Sequence, residues 1–188
     1  MPDRKPTRIP GFAYDHGAWF VTICTQGRMH RFGSVHGVGD GSPVPHTALS
    51  HTGMMVERYM DMIPEKYPTV TVTDRVIMPD HIHMILLFEP RQDGPGNPAP
   101  TLGNVIGWFK YQTTKSFNAG KEPRQKLWQR NYYEHGIRSE EDWRDCVNYM
   151  LNNPTAWMLR KTEQRQVPNP PMPQCDYATI TKIGVDKL

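Results

Sequence analysis

The chain reads TVTVTDRVIMPDHIHMILLF from Thr69 to Phe88. Both halves of this stretch are rich in β-branched or apolar residues, and the turn-forming pair Pro79–Asp80 separates them. This pattern predicts a β-hairpin, with Thr69–Met78 as one strand and His81–Phe88 as the next. The hairpin is a strong local indication that the chain contains a β-sheet.

Two histidines, His81 and His83, open the second strand of this hairpin. Because alternate side chains of a strand share a face, both imidazoles would point to one layer and Ile82 to the other. Neutral imidazole is a general metal ligand, so the pair suits two ligands of one ion. Two polar residues on the exposed face of a strand are the alternative, because so short a motif recurs by chance. The pair therefore needs a third ligand and a reactive partner elsewhere in the chain.

The flanking sequence predicts an alternation of strands and helices. Strand-like stretches are rich in β-branched and aromatic residues, and helix-like stretches repeat apolar residues every three or four positions. The predicted strands are Trp19–Cys24, Thr69–Met78, His81–Phe88 and Leu127–Ile137, and the predicted helices are Val56–Ile63, Thr101–Phe117 and Ser139–Asn153. This order, β-α-β-β-α-β followed by an extra helix, predicts an α+β, ferredoxin-like fold with an antiparallel sheet and helices on one face.

Proline and glycine mark the expected interruptions. Pro64 and Pro154 should end the first and third helices, because proline lacks the N–H that a helix interior needs. Gly33–Gly53 is rich in Gly, Pro, Ser and His and predicts a long loop, and Pro90–Pro100 predicts a second connection. We divide the chain into a main domain, residues 1–157, and a Pro-rich tail, residues 158–188, in which Tyr177–Ile183 is a candidate edge strand.

Composition restricts the cellular setting more than the activity. The 188 residues carry 22 Lys and Arg against 19 Asp and Glu, a formal net charge of +3, which only mildly favours a polyanionic partner. The three cysteines are far apart and form no C-x-x-C motif, which favours a reducing compartment. No apolar run approaches membrane-spanning length, and the first ten residues are polar and basic. We therefore expect a cytoplasmic protein without a membrane partner.

Positive charge is concentrated between the second helix and the last strand. The segment from Lys110 to Arg130 contains a single acid, Glu122, and six basic residues: Lys110, Lys115, Lys121, Arg124, Lys126 and Arg130. Such a segment is typical of phosphate binding or of a solvated helix face and loop. Trp128, within it, is a candidate for stacking on an unpaired base, with core packing as the alternative.

The third helix supplies candidates for the missing half of the site. Tyr149 and Asn153 are four residues apart, so a helix would place both on one face, near the rim of the sheet. A phenol and an amide oxygen there could approach a metal held by the two histidines. The alternatives are an ordinary rim tyrosine and a helix-ending asparagine before Pro154. On these grounds alone Tyr149 ranks only slightly above Tyr111, which is helical and flanked by basic residues.

Four blocks of sequence resemble the HUH single-tyrosine transposases, and among them the REP-associated tyrosine transposases. The blocks are WFVTICT at Trp19–Thr25, VIMPDHIH at Val76–His83, WQRNYYEH at Trp128–His135 and YMLNNP at Tyr149–Pro154. They follow the family's order and extend over roughly residues 8–157. A match of this extent is far more specific than the His-x-His motif alone.

The resemblance implies an endonuclease and strand transferase that recognises hairpin-flanked, single-stranded DNA. Tyr149 would be the catalytic nucleophile that forms a 5′-phosphotyrosine, and His81, His83 and Asn153 would bind a divalent ion, Mg²⁺ or Mn²⁺. Candidate DNA-binding residues are Lys110, Lys115, Arg124, Lys126, Trp128 and Arg130. A monomer is favoured, with a homodimer as the alternative. Asp80 stands where many relatives carry Asn, and strand alternation places it on the face away from the histidines, so we do not count it as a ligand.

Two other classes of function compete with the transposase-like enzyme. One is a regulator that binds hairpin DNA without cleaving it. The other is a small metalloprotein with a structural Zn²⁺ and no nucleic acid partner. Covalent capture of DNA by Tyr149 distinguishes the enzyme from both.

Overall fold

The computed structural model of the chain describes residues 16–38, 43–90 and 99–162. The strands are β1 Gly17–Cys24, β2 Gly33–His36, β3 His46–Leu49, β4 Val70–Met78, β5 His81–Phe88 and β6 Tyr133–Ile137, and the helices are α1 His51–Lys66, α2 Leu102–Phe117 and α3 Glu140–Thr162. A short 3₁₀ turn, Gln26–Arg28, follows β1. The predicted Pro90–Pro100 connection and the candidate strand Tyr177–Ile183 lie largely or wholly outside the described residues. No helix within the described ranges is both long and apolar enough to cross a membrane.

Four strands form one antiparallel sheet in the order β4-β5-β1-β6. The hairpin predicted from the sequence is present as β4 and β5, which the pair Pro79–Asp80 connects. In the register of β1 against β5, Thr22 is opposite His83 and Cys24 is opposite His81. The predicted α+β fold with an antiparallel sheet is confirmed, and its strand order follows the ferredoxin-like arrangement.

The sheet separates two apolar layers. Helices α1 and α2 pack on one face, over strand residues that include Val21, Ile82 and Met84. Helix α3 packs on the other face, where Cys146 and Met150 contact Phe20 and Ile85. Burying an apolar side chain of this size contributes about 1.5–3 kcal/mol. Because side chains alternate along β5, the histidines that flank Ile82 face α3.

The predicted long loop Gly33–Gly53 is wrong, because its described part contains the antiparallel hairpin of β2 and β3 and the first turn of α1. Both terminal glycines occupy positions of close backbone approach. A Cβ on Gly33 would collide with the carbonyl of Ala48, and one on Gly53 would collide with the carbonyl of Phe32. These glycines permit packing rather than flexibility.

Both prolines expected to end helices lie inside them. Pro64 is in the last turn of α1, which ends at Lys66, and Pro154 lies within α3, which continues to Thr162. A proline removes one backbone hydrogen bond, and packing of the following turn can offset that cost. After Pro154 that packing is present, because Trp157 contacts His30 and Met158 lies over Gly37. The proposed division at residue 157 therefore falls within a helix.

The predicted strand Leu127–Ile137 forms only in its second half, as β6. Leu127 and Trp128 are buried in the layer of α1 and α2, and a single bridge joins Trp128 to Thr25. The apolar residues in the first half of the segment pack in the core without forming a strand. Ser139 caps α3 as the sequence predicts, since the Asp142 N–H donates to its hydroxyl at 3.1 Å.

Candidate metal and nucleophile site

The structure brings together the four residues of the predicted chemical site. The rings of His81 and His83 are 4.7 Å apart, and the rings of His83 and Tyr149 are 5.3 Å apart. The side chain of Asn153 lies next to both His83 and Tyr149. His81, His83 and Asn153 are buried, and Tyr149 is half-buried. Strand β5 therefore supplies two imidazoles, and α3 supplies a phenol and an amide above them.

Local structure fixes the orientation of this group. Tyr149 and Asn153 share one face of α3, and the Asn153 amide nitrogen donates to the Tyr149 carbonyl at 2.8 Å. Phe20, which is fully buried, stacks on His83 with ring centroids 5.2 Å apart and meets Tyr149 edge-on at 5.9 Å. The phenyl ring thus holds the histidine and the tyrosine in a fixed relation.

Each histidine has a hydrogen-bond partner at Nδ1, which fixes the orientation of the ring and therefore the position of Nε2. The Thr22 hydroxyl is 2.7 Å from His83 Nδ1, and Asp80 Oδ1 is 2.6 Å from His81 Nδ1. His83 Nε2 is buried and has no hydrogen-bond partner among the described residues. Such an atom needs a proton donor or a metal ion, and paired Nδ1 atoms are usual for histidine ligands. The arrangement fits a divalent ion held by two imidazole nitrogens and the Asn153 oxygen.

Asp80 does not occupy the position expected from strand alternation. It lies in the turn before β5, so its carboxylate reaches back to His81 instead of pointing to the opposite layer. Its second oxygen accepts from Arg28 Nε at 2.9 Å, and Arg28 Nη1 donates to Cys24 Sγ at 2.9 Å. Asp80 therefore orients the His81 ring, and each of its oxygens already has a partner in His81 or Arg28. The backbone of Arg28 has a φ of 55°, a left-handed conformation that non-glycine residues rarely adopt.

Burial keeps the reactive groups of the site neutral. The pKa of His83 is held well below its usual value by desolvation, then by the nearby His81 and Arg28, so the ring is uncharged. Burial also raises the pKa of Tyr149, against the opposing influence of the Asn153 hydrogen bond and of Arg160 and Arg28. A buried phenol of this kind needs a nearby cation to become a nucleophile.

A second group with metal-ligand chemistry lies at the start of α3. Ligand atoms of His135, Asp142 and Cys146 all fall within 4.8 Å of one another. His135 Nε2 pairs with the Asp142 oxygens at 2.8 and 3.0 Å, and the Arg138 N–H donates to one of them. Burial, followed by the charges of Asp142 and Asp145, raises the pKa of Cys146 to about 12, so the thiol is protonated. The pairing of His135 with Asp142 thus links β6 to α3.

Two of the predicted DNA-binding residues have internal roles. Lys110 Nζ donates to the carbonyl oxygens of Gln129 at 2.6 Å and Arg130 at 2.9 Å, and burial lowers its pKa. Trp128 is buried, and its indole N–H donates to Thr113 at 2.8 Å. The predicted stacking of Trp128 on a base is not supported by this position, because the ring packs between two core phenylalanines.

The other predicted contacts are exposed: Lys115, Arg124, Lys126 and Arg130. Two backbone hydrogen bonds hold segment 127–130 against the end of β1, from Gln26 N–H to the Leu127 carbonyl and from Gln129 N–H to the Cys24 carbonyl. That end of β1 pairs with the start of β5. The segment and the histidines therefore share one end of the sheet, and the predicted phosphate contacts remain predictions.

Comparisons with known proteins agree with the resemblance that the sequence motifs indicate. No family model matches the chain. An uncharacterized protein of Haemophilus influenzae is 28% identical over 169 residues, which are 82% of this chain and 89% of that protein. A second Haemophilus influenzae protein, described as a putative REP-associated tyrosine transposase, is 33% identical over 95 residues, 48% of this chain and 52% of its own length. A solved REP-associated tyrosine transposase, bound to a REP hairpin, superposes with a TM-score of 0.55 at 20% identity over 84% of this chain and 74% of that one.

The chain resembles REP-associated tyrosine transposases in sequence and in fold. The resemblance predicted from the four sequence blocks is confirmed, and the structural likeness shows that the REP-associated tyrosine transposases and this chain share a fold. The sequence did not predict that Thr22, Arg28 and Trp157 lie near the site, and it placed Asp80 on the wrong face. Only Thr22 had a usable signal, because pairing β1 with β5 places it opposite His83.

Proposed function

We propose that the protein is a metal-dependent endonuclease and strand transferase for single-stranded DNA flanked by a hairpin. This proposal rests on one observation: strand β5 and helix α3 bring His81, His83, Asn153 and Tyr149 together on the same face of the sheet. The pairing of both Nδ1 atoms and the orphaned His83 Nε2 support a metal role for the histidines. The hairpin is proposed by analogy with the solved transposase, which is bound to a REP hairpin.

The proposed reaction is an exchange of phosphodiester partners. Tyr149 Oη attacks the scissile phosphorus, its proton passes to water, and the P–O3′ bond breaks. The released 3′ oxygen takes up a proton, and the 5′-phosphate remains attached to Tyr149. A divalent ion, Mg²⁺ or Mn²⁺, would stabilise charge on the nonbridging oxygens and favour the phenolate. One phosphodiester replaces another, so reversal with a different 3′-hydroxyl transfers the strand without ATP.

Neutral ligands favour this chemistry. Imidazole binds a metal in its neutral form, so two histidines and an amide would leave the full charge of a divalent ion available to the phosphate. Phe20 and Asn153 restrict Tyr149 to the side of the histidines, which lowers the entropic cost of attack. Both histidines and the tyrosine come from the same chain, so a monomer contains a complete site. We expect it to act in the cytoplasm.

The test uses single-stranded oligonucleotides copied from inverted repeats that flank the encoding gene, or selected from a random hairpin library. Wild-type protein with Mn²⁺ should give a cleaved strand and a protein–DNA adduct on a denaturing gel. Tyr149→Phe should abolish the adduct, His81→Ala should reduce cleavage severely, and Tyr111→Phe should behave as wild type. Tight, salt-dependent hairpin binding without cleavage in any divalent ion would instead support the hairpin-binding regulator. Bound Zn²⁺ with no DNA binding would support the structural metalloprotein.

A further inference from the structure

The face of α3 that carries the nucleophile continues beyond the metal site. Tyr149, Asn153 and Trp157 are spaced four residues apart, so they lie in one row along the helix. The Trp157 ring centroid is 6.5 Å from the ring of His81 and 5.0 Å from the ring of His30. A large aromatic ring therefore lies beside His81.

Trp157 is not explained by core packing. It belongs to neither of the two buried clusters found among the described residues. The ring is half-buried, and its neighbour His30 is exposed in the loop that follows β1. The two rings are inclined at 59°, so they form a corner rather than a closed stack. An aromatic corner at the mouth of a polar site is suited to ligand contact.

Positive charge lies beside this corner. The Arg160 guanidinium carbon is 5.9 Å from the centroid of the Trp157 ring, one helical turn further along α3. Arg28, whose side chain is 40% exposed, is paired with Asp80, the residue that contacts His81. Aromatic rings beside guanidinium groups are the combination with which proteins bind unpaired nucleotides.

We propose that Trp157 and His30 form the stacking site for the unpaired base next to the scissile phosphate, with Arg160 beside the adjoining phosphate. This inference rests on the proposed function, because it assumes that a phosphodiester binds between the histidines and Tyr149. The base is joined to that phosphate through a single sugar, so it must lie close to the ligands, and Trp157 borders His81. Stacking does not depend on base identity, and it requires a base that is not already stacked in a duplex. The site therefore selects single strands over paired DNA without reading sequence.

Fluorescence anisotropy tests the proposal with a labelled oligothymidylate of about a dozen nucleotides and an abasic strand of the same length, in EDTA to prevent cleavage. Trp157→Ala should weaken binding of the thymidylate by roughly 5- to 100-fold, the range for loss of one stacked base. Binding of the abasic strand should change by less than about twofold, because its phosphates remain. Trp157→Phe should retain most of the preference for bases, and Tyr111→Ala, an exposed aromatic on α2, should leave it unchanged.

Equal loss on both strands, or no loss on either, would overturn the stacking role. If thermal melting shows that the alanine variant is unfolded, Trp157→Leu retains apolar bulk without a π-face and is expected to give the same selective loss. The adduct assay with wild-type protein separates the two hypotheses. Adduct formation together with unchanged base preference in the Trp157 variants would remove the stacking site and leave the nuclease intact.

Discussion

Replacing Asp80 with asparagine should weaken metal binding without unfolding the protein. The Asp80 carboxylate accepts from His81 at Oδ1 and from Arg28 at Oδ2, and its side chain is only 6% exposed. An amide has one acceptor oxygen, so Asp80→Asn can keep the contact with His81 but not the one with Arg28. The cationic Arg28 then remains near the ion without its counter-charge. Asparagine is nearly isosteric with aspartate, so the fold should persist.

The expected loss of metal affinity depends on which hydrogen bonds of Asp80 are lost. Removing an outer hydrogen-bond partner of a metal-bound histidine typically costs about 10- to 100-fold in metal affinity. Since the amide retains one of two bonds, we expect about tenfold for Asp80→Asn, equivalent to about 1.4 kcal/mol, and about 100-fold for Asp80→Ala. The buried location of the carboxylate argues against strong solvent screening of this effect.

Manganese titration followed by electron paramagnetic resonance, or by calorimetry, measures this affinity without DNA. Asp61→Asn is the matched control, because that carboxylate pairs with Arg75 in an exposed position away from the histidines. Affinity in Asp80→Asn within about twofold of wild type, with an unchanged melting temperature, would refute the orienting role.

Three further predictions concern the folded state and the DNA contacts. Because burial lowers the His83 pKa, the unfolded chain binds more protons than the folded chain below about pH 6.5. The metal-free protein should therefore lose up to about 1.4 kcal/mol of folding stability per pH unit as the pH falls. Urea titrations should show a shallower loss in His83→Gln, and equal slopes in the two proteins would contradict this origin. Burial raises the Cys146 pKa to about 12, so the thiol should react with iodoacetamide at mildly alkaline pH only when urea unfolds the protein. The partly exposed Cys24 should react in the folded protein. Peptide mapping that finds both cysteines modified equally in the folded protein would contradict this prediction. Trp128→Ala should lower the free energy of unfolding by about 3–5 kcal/mol as a core deletion, and a loss of DNA binding without a loss of stability would restore its predicted role in stacking.

The sequence alone predicts the parts of the site that depend on local periodicity. The period of two along β5 places His81 and His83 on one face, and the spacing of four along α3 aligns Tyr149 with Asn153. The hairpin and the order of elements follow from runs of β-branched residues and from apolar stripes. These signals are carried by neighbouring residues, so no tertiary information is needed to read them.

What the sequence does not predict depends on contacts between distant segments. The prolines at 64 and 154 have the same local chemistry inside a helix as at its end, and packing after each decides the outcome. In the sequence, Gly33 looks the same whether it lies in a flexible loop or allows two backbone segments to approach closely. Asp80 and Arg28 meet because a turn after β1 lies beside the turn before β5, and no periodicity links residues 52 positions apart. Trp157 follows a proline that local rules treat as a helix terminator.

In the proposed reaction, Tyr149 attacks a phosphate that binds between its own ring and the two histidines. Peptide mass spectrometry of the protein after reaction with a hairpin-flanked single strand and Mn²⁺, followed by nuclease digestion, tests it most directly. We expect a nucleotide joined through its 5′-phosphate to Tyr149 in the wild-type protein, and no such adduct when His81 and His83 are replaced by alanine. A nucleotide on another tyrosine, or cleavage that leaves no adduct on any residue, would contradict it.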